Sequence, residues 1–269
     1  MVKKLFKHEF LAYARVMSLV YIILLTIATA GRVIQFFEND SVIYAIISGI
    51  ANITYTVSIF ASTAFCLVFA IARFYKNLFT YEGYLSFTLP VTPTQHIVVK
   101  SLTALSFDII TLIMILISGC IITAGEVLTE IFKALGYIAD KLYELASFHS
   151  ILIGAEVLLL MLVLSLSGIL LYYLFISIGQ LFKKNRILAA VGAYFVYYII
   201  TQIISTVVLV VFSVVISPEA MEAFGQFVMN HPYTTIHVGL CGLIFLSGIF
   251  TVIYFLVTKR IITKKLNLE

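Results

Sequence analysis

The sequence predicts an all-α, polytopic membrane protein of six transmembrane helices, with both ends of the chain on the cytoplasmic side. Three observations carry that prediction. Of the 269 residues, 62% are hydrophobic and only 11% are charged, with a mean hydropathy of +1.12. That is too little charge to cover the surface of a water-soluble domain. The apolar runs continue for a full bilayer thickness, which takes about 20 helical residues. Lysine and arginine also concentrate in alternate loops, as the positive-inside bias requires.

The spans follow in order as residues 16–34, 42–72, 97–124, 151–181, 187–216 and 235–257. The first is interrupted late by Arg32, and the second is longer than a bilayer requires, so its start reads as interfacial. Of the 17 basic residues, only Arg32, Lys133 and Lys141 fall on the side assigned as outer. That side also carries Glu38, Asp40, Glu126, Glu130, Asp140, Glu144, Glu219 and Glu222. An odd number of spans would place one basic end outside. The net charge of +4 therefore reports membrane sides and gives no nucleic-acid signal.

Cys66, Cys120 and Cys241 all lie inside apolar runs without metal-ligand spacing, and read as small packing residues. The apolar stretch after Arg15 is too long, and lacks the cleavage site, for a removed signal peptide. No linker marks a second domain, so residues 1–269 read as one transmembrane domain.

Between the spans, residues 1–14 place Val2, Leu5, Phe6, Phe10 and Tyr13 at helical spacing, with Lys3, Lys4 and Lys7 elsewhere on the wheel. This predicts a basic amphipathic helix on the cytoplasmic membrane surface, the alternative being a frayed basic tail that serves only topology. Glu126 to Phe148 mixes acids with Leu128, Ile131, Phe132, Leu135, Ile138, Leu142 and Leu145. It reads as an outer amphipathic helix, or a pair broken at Gly136. Pro218 to Met229 reads as a shorter helix of the same kind, capped by Ser217 with acids in its first turn.

The loop after the second span, residues 73–96, is rich in aromatics and poor in charge for an inner loop. Leu89-Pro90 and Thr92-Pro93 end any helix before the third span. A solvated loop has no reason to expose Phe79, Tyr81, Tyr84, Leu85 and Phe87, so these side chains are expected to be covered. The run from Glu82 and Gly83 through Tyr84, Leu85, Ser86, Phe87, Thr88, Leu89 and Pro90 to Val91, followed by Lys100, resembles the corresponding loop of small six-span bacterial permeases of the ABC-2 transporter type. The likeness in layout covers the whole chain.

The resemblance implies a coupling helix that docks into a cleft of a separate ATP-binding subunit. The contact residues it implies are Tyr75, Phe79, Tyr81, Glu82, Gly83, Tyr84, Leu85 and Phe87, with Glu82 offering a carboxylate to a basic partner. It also implies location in the bacterial cytoplasmic membrane, pairing with a second permease subunit as homodimer or heterodimer, and ATP and magnesium held by the partner ATPase. An amphiphilic cargo such as a peptide antibiotic, lipid or drug suits the family. The alternative for the loop is an aromatic belt resting on lipid headgroups.

The chain contains no phosphate-cradling Gly-x-x-x-x-Gly-Lys-Ser/Thr, no His-Glu-x-x-His, no Gly-x-Ser-x-Gly and no Cys/His cluster. It is thus expected to be no enzyme and to hold no cofactor or metal of its own. His8, His96, His149, His231 and His237 are scattered, mostly at membrane edges.

Two acids fall within spans, Asp108 and Glu156, and an intramembrane charge is a functional candidate by default, at a cost of about 3 kcal/mol or more. For Asp108 the structural alternative is a neutral or hydrogen-bonded carboxyl served by Asn52, Thr54, Tyr55, Gln180 or Gln202, while Glu156 lies near the outer end. Thr54, Ser58, Ser62, Cys66 and Ala70 form a four-residue stripe that reads as a packing seam. Gly239, Gly242 and Gly248 read likewise as packing or flexibility, and Tyr172, Tyr173, Tyr194, Tyr197 and Tyr198 as a passage lining, interface anchors or ordinary packing.

The leading reading is the membrane subunit of an ATP-driven exporter. The other two are a gradient-driven transporter using Asp108 and a non-transporting sensor or immunity protein.

Overall fold

The computed structural model describes residues 2–80, 82–83, 88, 90–124 and 126–264; between 126 and 150 it describes side chains only at 129, 130, 133, 134, 136, 137 and 149. The elements are α1 (Val2–Gln35), α2 (Val42–Phe79), α3 (Pro93–Ile122), α4 (Glu126–Gly179), α5 (Arg186–Val215), α6 (Pro218–Asn230) and α7 (Pro232–Lys264). No strand occurs among the described residues. Among the described residues, six helical stretches are long and apolar enough to cross a bilayer: α1, α2, α3, the Ile151–Gly179 part of α4, α5 and α7. This is a multi-pass membrane protein, with its spans where the hydropathy predicted them.

Caps define several helix starts. Ser41 accepts a hydrogen bond from the Tyr44 amide at the start of α2. Thr92 and Gln95 form a reciprocal capping box on α3, with Pro93 in the first turn. Ser217 caps α6 through the Ala220 amide, as predicted.

The chain divides into two compact units, Met1–Leu145 and Ala146–Glu269. In the first, α1, α2 and α3 pack on one another. The buried face of α1 runs through Glu9, Tyr13, Met17, Tyr21, Leu24, Ala28 and Gly31, a single stripe at steps of three and four. Ser62, Cys66 and Ala70 of the small-residue stripe are buried in this unit, whereas Thr54 is exposed. Only the inner part of the stripe is therefore a seam. Tyr13 and Phe107 stack at 5.2 Å, and Phe69 meets Tyr13 edge-on at 4.9 Å. Tyr21 to Thr111 (2.8 Å) and Tyr55 to Ser118 (3.0 Å) join the hydroxyls of neighbouring helices.

Two boundaries differ from the sequence expectation. Residues 2–14 continue into the first span as one helix, and of them only Glu9 and Tyr13 belong to its buried stripe. The second helix extends beyond residue 72 to Phe79, leaving a shorter connection before Pro93. Of the two forms expected for the outer segment, a single helix or a pair broken at Gly136, the helix runs on through Gly136, since one glycine costs only about 1 kcal/mol.

In the second unit, α4 and α5 are joined by a tight reversal. Asn185 takes the left-handed conformation (φ 54°) there, and Gly179 allows close approach: a Cβ at this position would collide with the Arg186 carbonyl oxygen and lie 2.8 Å from Ala190 Cβ. Phe175 meets Tyr194 and Tyr197 at 5.6 and 5.4 Å, and Tyr197 shares a 2.7 Å hydrogen bond with Tyr254 of α7. No residue of α5 is buried. Thr258 Oγ1 is buried without a hydrogen-bond partner among the described residues. Thr258→Val should therefore raise stability by about 1 kcal/mol, read as a higher unfolding midpoint in detergent.

Candidate functional site

Glu9 sits one helical turn before Tyr13, on the buried face of α1. An acid on an apolar face is costly unless paired. Here it is paired three times: its carboxylate accepts from Arg73 Nε (2.6 Å) and Asn77 Nδ2 (3.1 Å) of α2, and from Lys100 Nζ (2.7 Å) of α3. The Glu9 and Lys100 side chains are 8% and 4% exposed, so this is a desolvated pair rather than a surface contact. Arg73 is more open and also lies 5.8 Å over the Tyr13 ring.

The helical extension of α2 beyond residue 72 is what places Arg73 and Asn77 on one face, four residues apart. One carboxylate thus ties together the N-terminal part of α1, the end of α2 and the start of α3. The latter two are the ends of the connection carrying the Glu82 motif.

Outside the node, the connection makes an exposed ion pair with the end of α2, Lys76 to Glu82 at 3.0 Å. Of the residues expected to contact an ATPase, Phe79 is buried against Phe74 (5.7 Å) and anchors the base of the connection. Tyr75 is half-buried, 6.3 Å from the Phe79 ring. Glu82 is exposed and Gly83 buried. Tyr81, Tyr84, Leu85 and Phe87 lie outside the described residues.

Asp108 is half-buried and accepts a 3.7 Å contact from the Cys66 thiol. It borders a cleft of about 470 Å³ between α2 and α3, also lined by Phe60, Thr63, Leu67 and Thr111. Among the partners expected for it, Tyr55 instead bonds Ser118, and Thr54 turns back to the Ile50 carbonyl.

Glu156, in the second unit, accepts from His237 Nδ1 with both oxygens at 2.9 Å; His237 Nε2 in turn lies 3.2 Å from His149 Nδ1. The tyrosines mostly pack: Tyr173 is buried, Tyr172 stacks on Tyr194 at 6.1 Å, and Tyr198 is exposed.

Sequence reasoning missed Glu9 and the two histidines beside Glu156. The first left a signal, a lone acid on the apolar face of a basic helix. The second left half of one: His149 and Glu156 are seven residues apart, two turns on one face. Among the described residues, no group of three or more His, Cys, Asp or Glu side chains is placed to hold a metal ion. No protein-family model matches this chain, nor does any curated protein or solved structure.

Proposed function

We propose that the chain is the membrane-spanning permease subunit of an ATP-driven exporter of the ABC-2 type, working with a separate ATP-binding subunit that holds ATP and magnesium. The single observation that carries the reading is the Glu9 node. The resemblance makes the α2–α3 connection the docking element, and the node ties both its ends to α1 through buried charge-assisted bonds. Force applied to the connection by closure of an ATPase would reach three spans together instead of bending one loop.

In this reading both chain ends face the cytoplasm, and Glu82, exposed beside Lys76, contacts the partner. Lys3, Lys4 and Lys7 would meet anionic lipid headgroups, each contributing about 1 kcal/mol. Phe6, Phe10 and Leu11 line the same surface groove as these lysines and would sit at the headgroup boundary. A second permease subunit, identical or related, would complete the pathway for an amphiphilic cargo.

The test is to purify the tagged chain from its own host in mild detergent and identify co-purifying chains by mass spectrometry. A stoichiometric ATP-binding subunit is expected, with its recovery reduced about tenfold or more by Glu82→Ala combined with Tyr84→Ala. Recovery of the chain alone under several gentle extractions would sink the proposal. The open cleft at Asp108 favours the gradient-driven reading as second choice. That reading predicts ATPase-independent transport abolished by Asp108→Asn.

A further inference from the structure

The Glu156, His237 and His149 array lies wholly within the second unit and takes no part in the proposed coupling. Its chemistry is directional. His237 Nδ1 stands 2.9 Å from both Glu156 oxygens, the geometry of an Nδ1–H donating to a carboxylate. That fixes the tautomer of His237 and leaves the lone pair of its Nε2 directed at His149 Nδ1, 3.2 Å away. His149 is exposed, and its ring stacks on Tyr233 at 5.4 Å, which fixes the ring's plane.

A carboxylate orienting one histidine nitrogen while the other faces outward is the arrangement that supports metal-bound histidine. The spacing also fits. Two nitrogens each about 2.0–2.1 Å from a tetrahedral zinc ion stand roughly 3.3 Å apart, and the two imidazoles already lie at nearly that separation.

We propose that His149 Nδ1 and His237 Nε2 form a two-nitrogen site for a divalent ion of the zinc class, with Glu156 as the positioning residue behind His237. The ion displaces the hydrogen bond between the rings, which turn so that both lone pairs converge on it off the line joining the two nitrogens. The proton of that bond moves from Nδ1 to Nε2 of His149 through water, so no net proton is released. Water fills the remaining coordination positions, which makes binding reversible and modest rather than structural. Cys241, 3.8 Å from Glu156 Oε1, touches the positioning carboxylate and not the two nitrogens. The proposal does not depend on the ATPase reading.

The full chain, carried on a histidine-free affinity tag in detergent, would be titrated with zinc chloride by isothermal calorimetry. One ion per chain is expected, lost in both His149→Ala and His237→Ala and retained in His231→Ala. Glu156→Gln should weaken affinity about tenfold or more. Because His149 is exposed, its variant keeps the fold even if His237→Ala does not. Failure of the wild-type chain to bind zinc, or binding that survives in both histidine variants, overturns the site. Unchanged affinity in Glu156→Gln overturns the positioning role.

Discussion

Replacing Glu9 with alanine should destabilise the first unit by about 3–5 kcal/mol, the usual cost of removing one partner of a buried ion pair. The loss is large because of what remains. Lys100, only 4% exposed, would lose the carboxylate that accepts its 2.7 Å bond, and Asn77 would lose its acceptor. Arg73, 25% exposed, can turn toward water and contributes less to the penalty.

Glu9→Gln keeps the shape and removes the charge, so it should fall between alanine and wild type. Removing both buried charges, as Glu9→Leu with Lys100→Met, should recover most of the stability, since a desolvated pair is often no better than apolar packing. The chain contains no tryptophan, so the readout is a fluorescent-protein fusion followed by size-exclusion chromatography after heating. An alanine variant that melts with the wild type would show that the node carries no net energy.

Gly179→Ala is the second large effect expected, and its companion has the opposite sign. The added methyl would press on the Arg186 carbonyl oxygen and on Ala190, and a backbone oxygen in a tight reversal has nowhere to move. Overpacking of this kind costs about 1–3 kcal/mol or more. Gly192, in α5, has nothing near its missing Cβ. There alanine should gain up to about 1 kcal/mol through helix propensity alone. The same heating assay separates the pair: Gly179→Ala should melt earlier than wild type and Gly192→Ala no earlier. If both behave alike, the α4–α5 approach is looser than described.

The six spans were legible because their signal is local: an apolar run of bilayer length needs no knowledge of its neighbours. The Ser217 cap and the proline-marked start of α3 were legible for the same reason. The node was not, because its members are 64 and 91 residues apart, and only packing of α1 on α2 and α3 brings Arg73 and Lys100 to Glu9.

Treating residues 73–96 as loop also hid that Arg73 and Asn77 belong to a helix face. Phe79 is covered, as expected, but by its own helix. The aromatic run pointed to the membrane interface or a partner protein as the cover, and the contact with Phe74 within one helix had no separate marker. Asp108 and Glu156 were both recognised as candidates from burial cost alone, but their neighbours, Cys66 and His237, come from other helices and had no marker in sequence.

Helix α5 has no buried residue along its 30 positions. Its side chains are consequently spared the shape constraints that a protein core imposes. If only fluid hydrocarbon surrounds it, one apolar residue should substitute for another almost anywhere along its length. A face on which substitution fails would be the imprint of a solid neighbour from another chain. Variation accumulated along α5 is thus a record of its company in the membrane, written where this chain's own packing leaves the page blank.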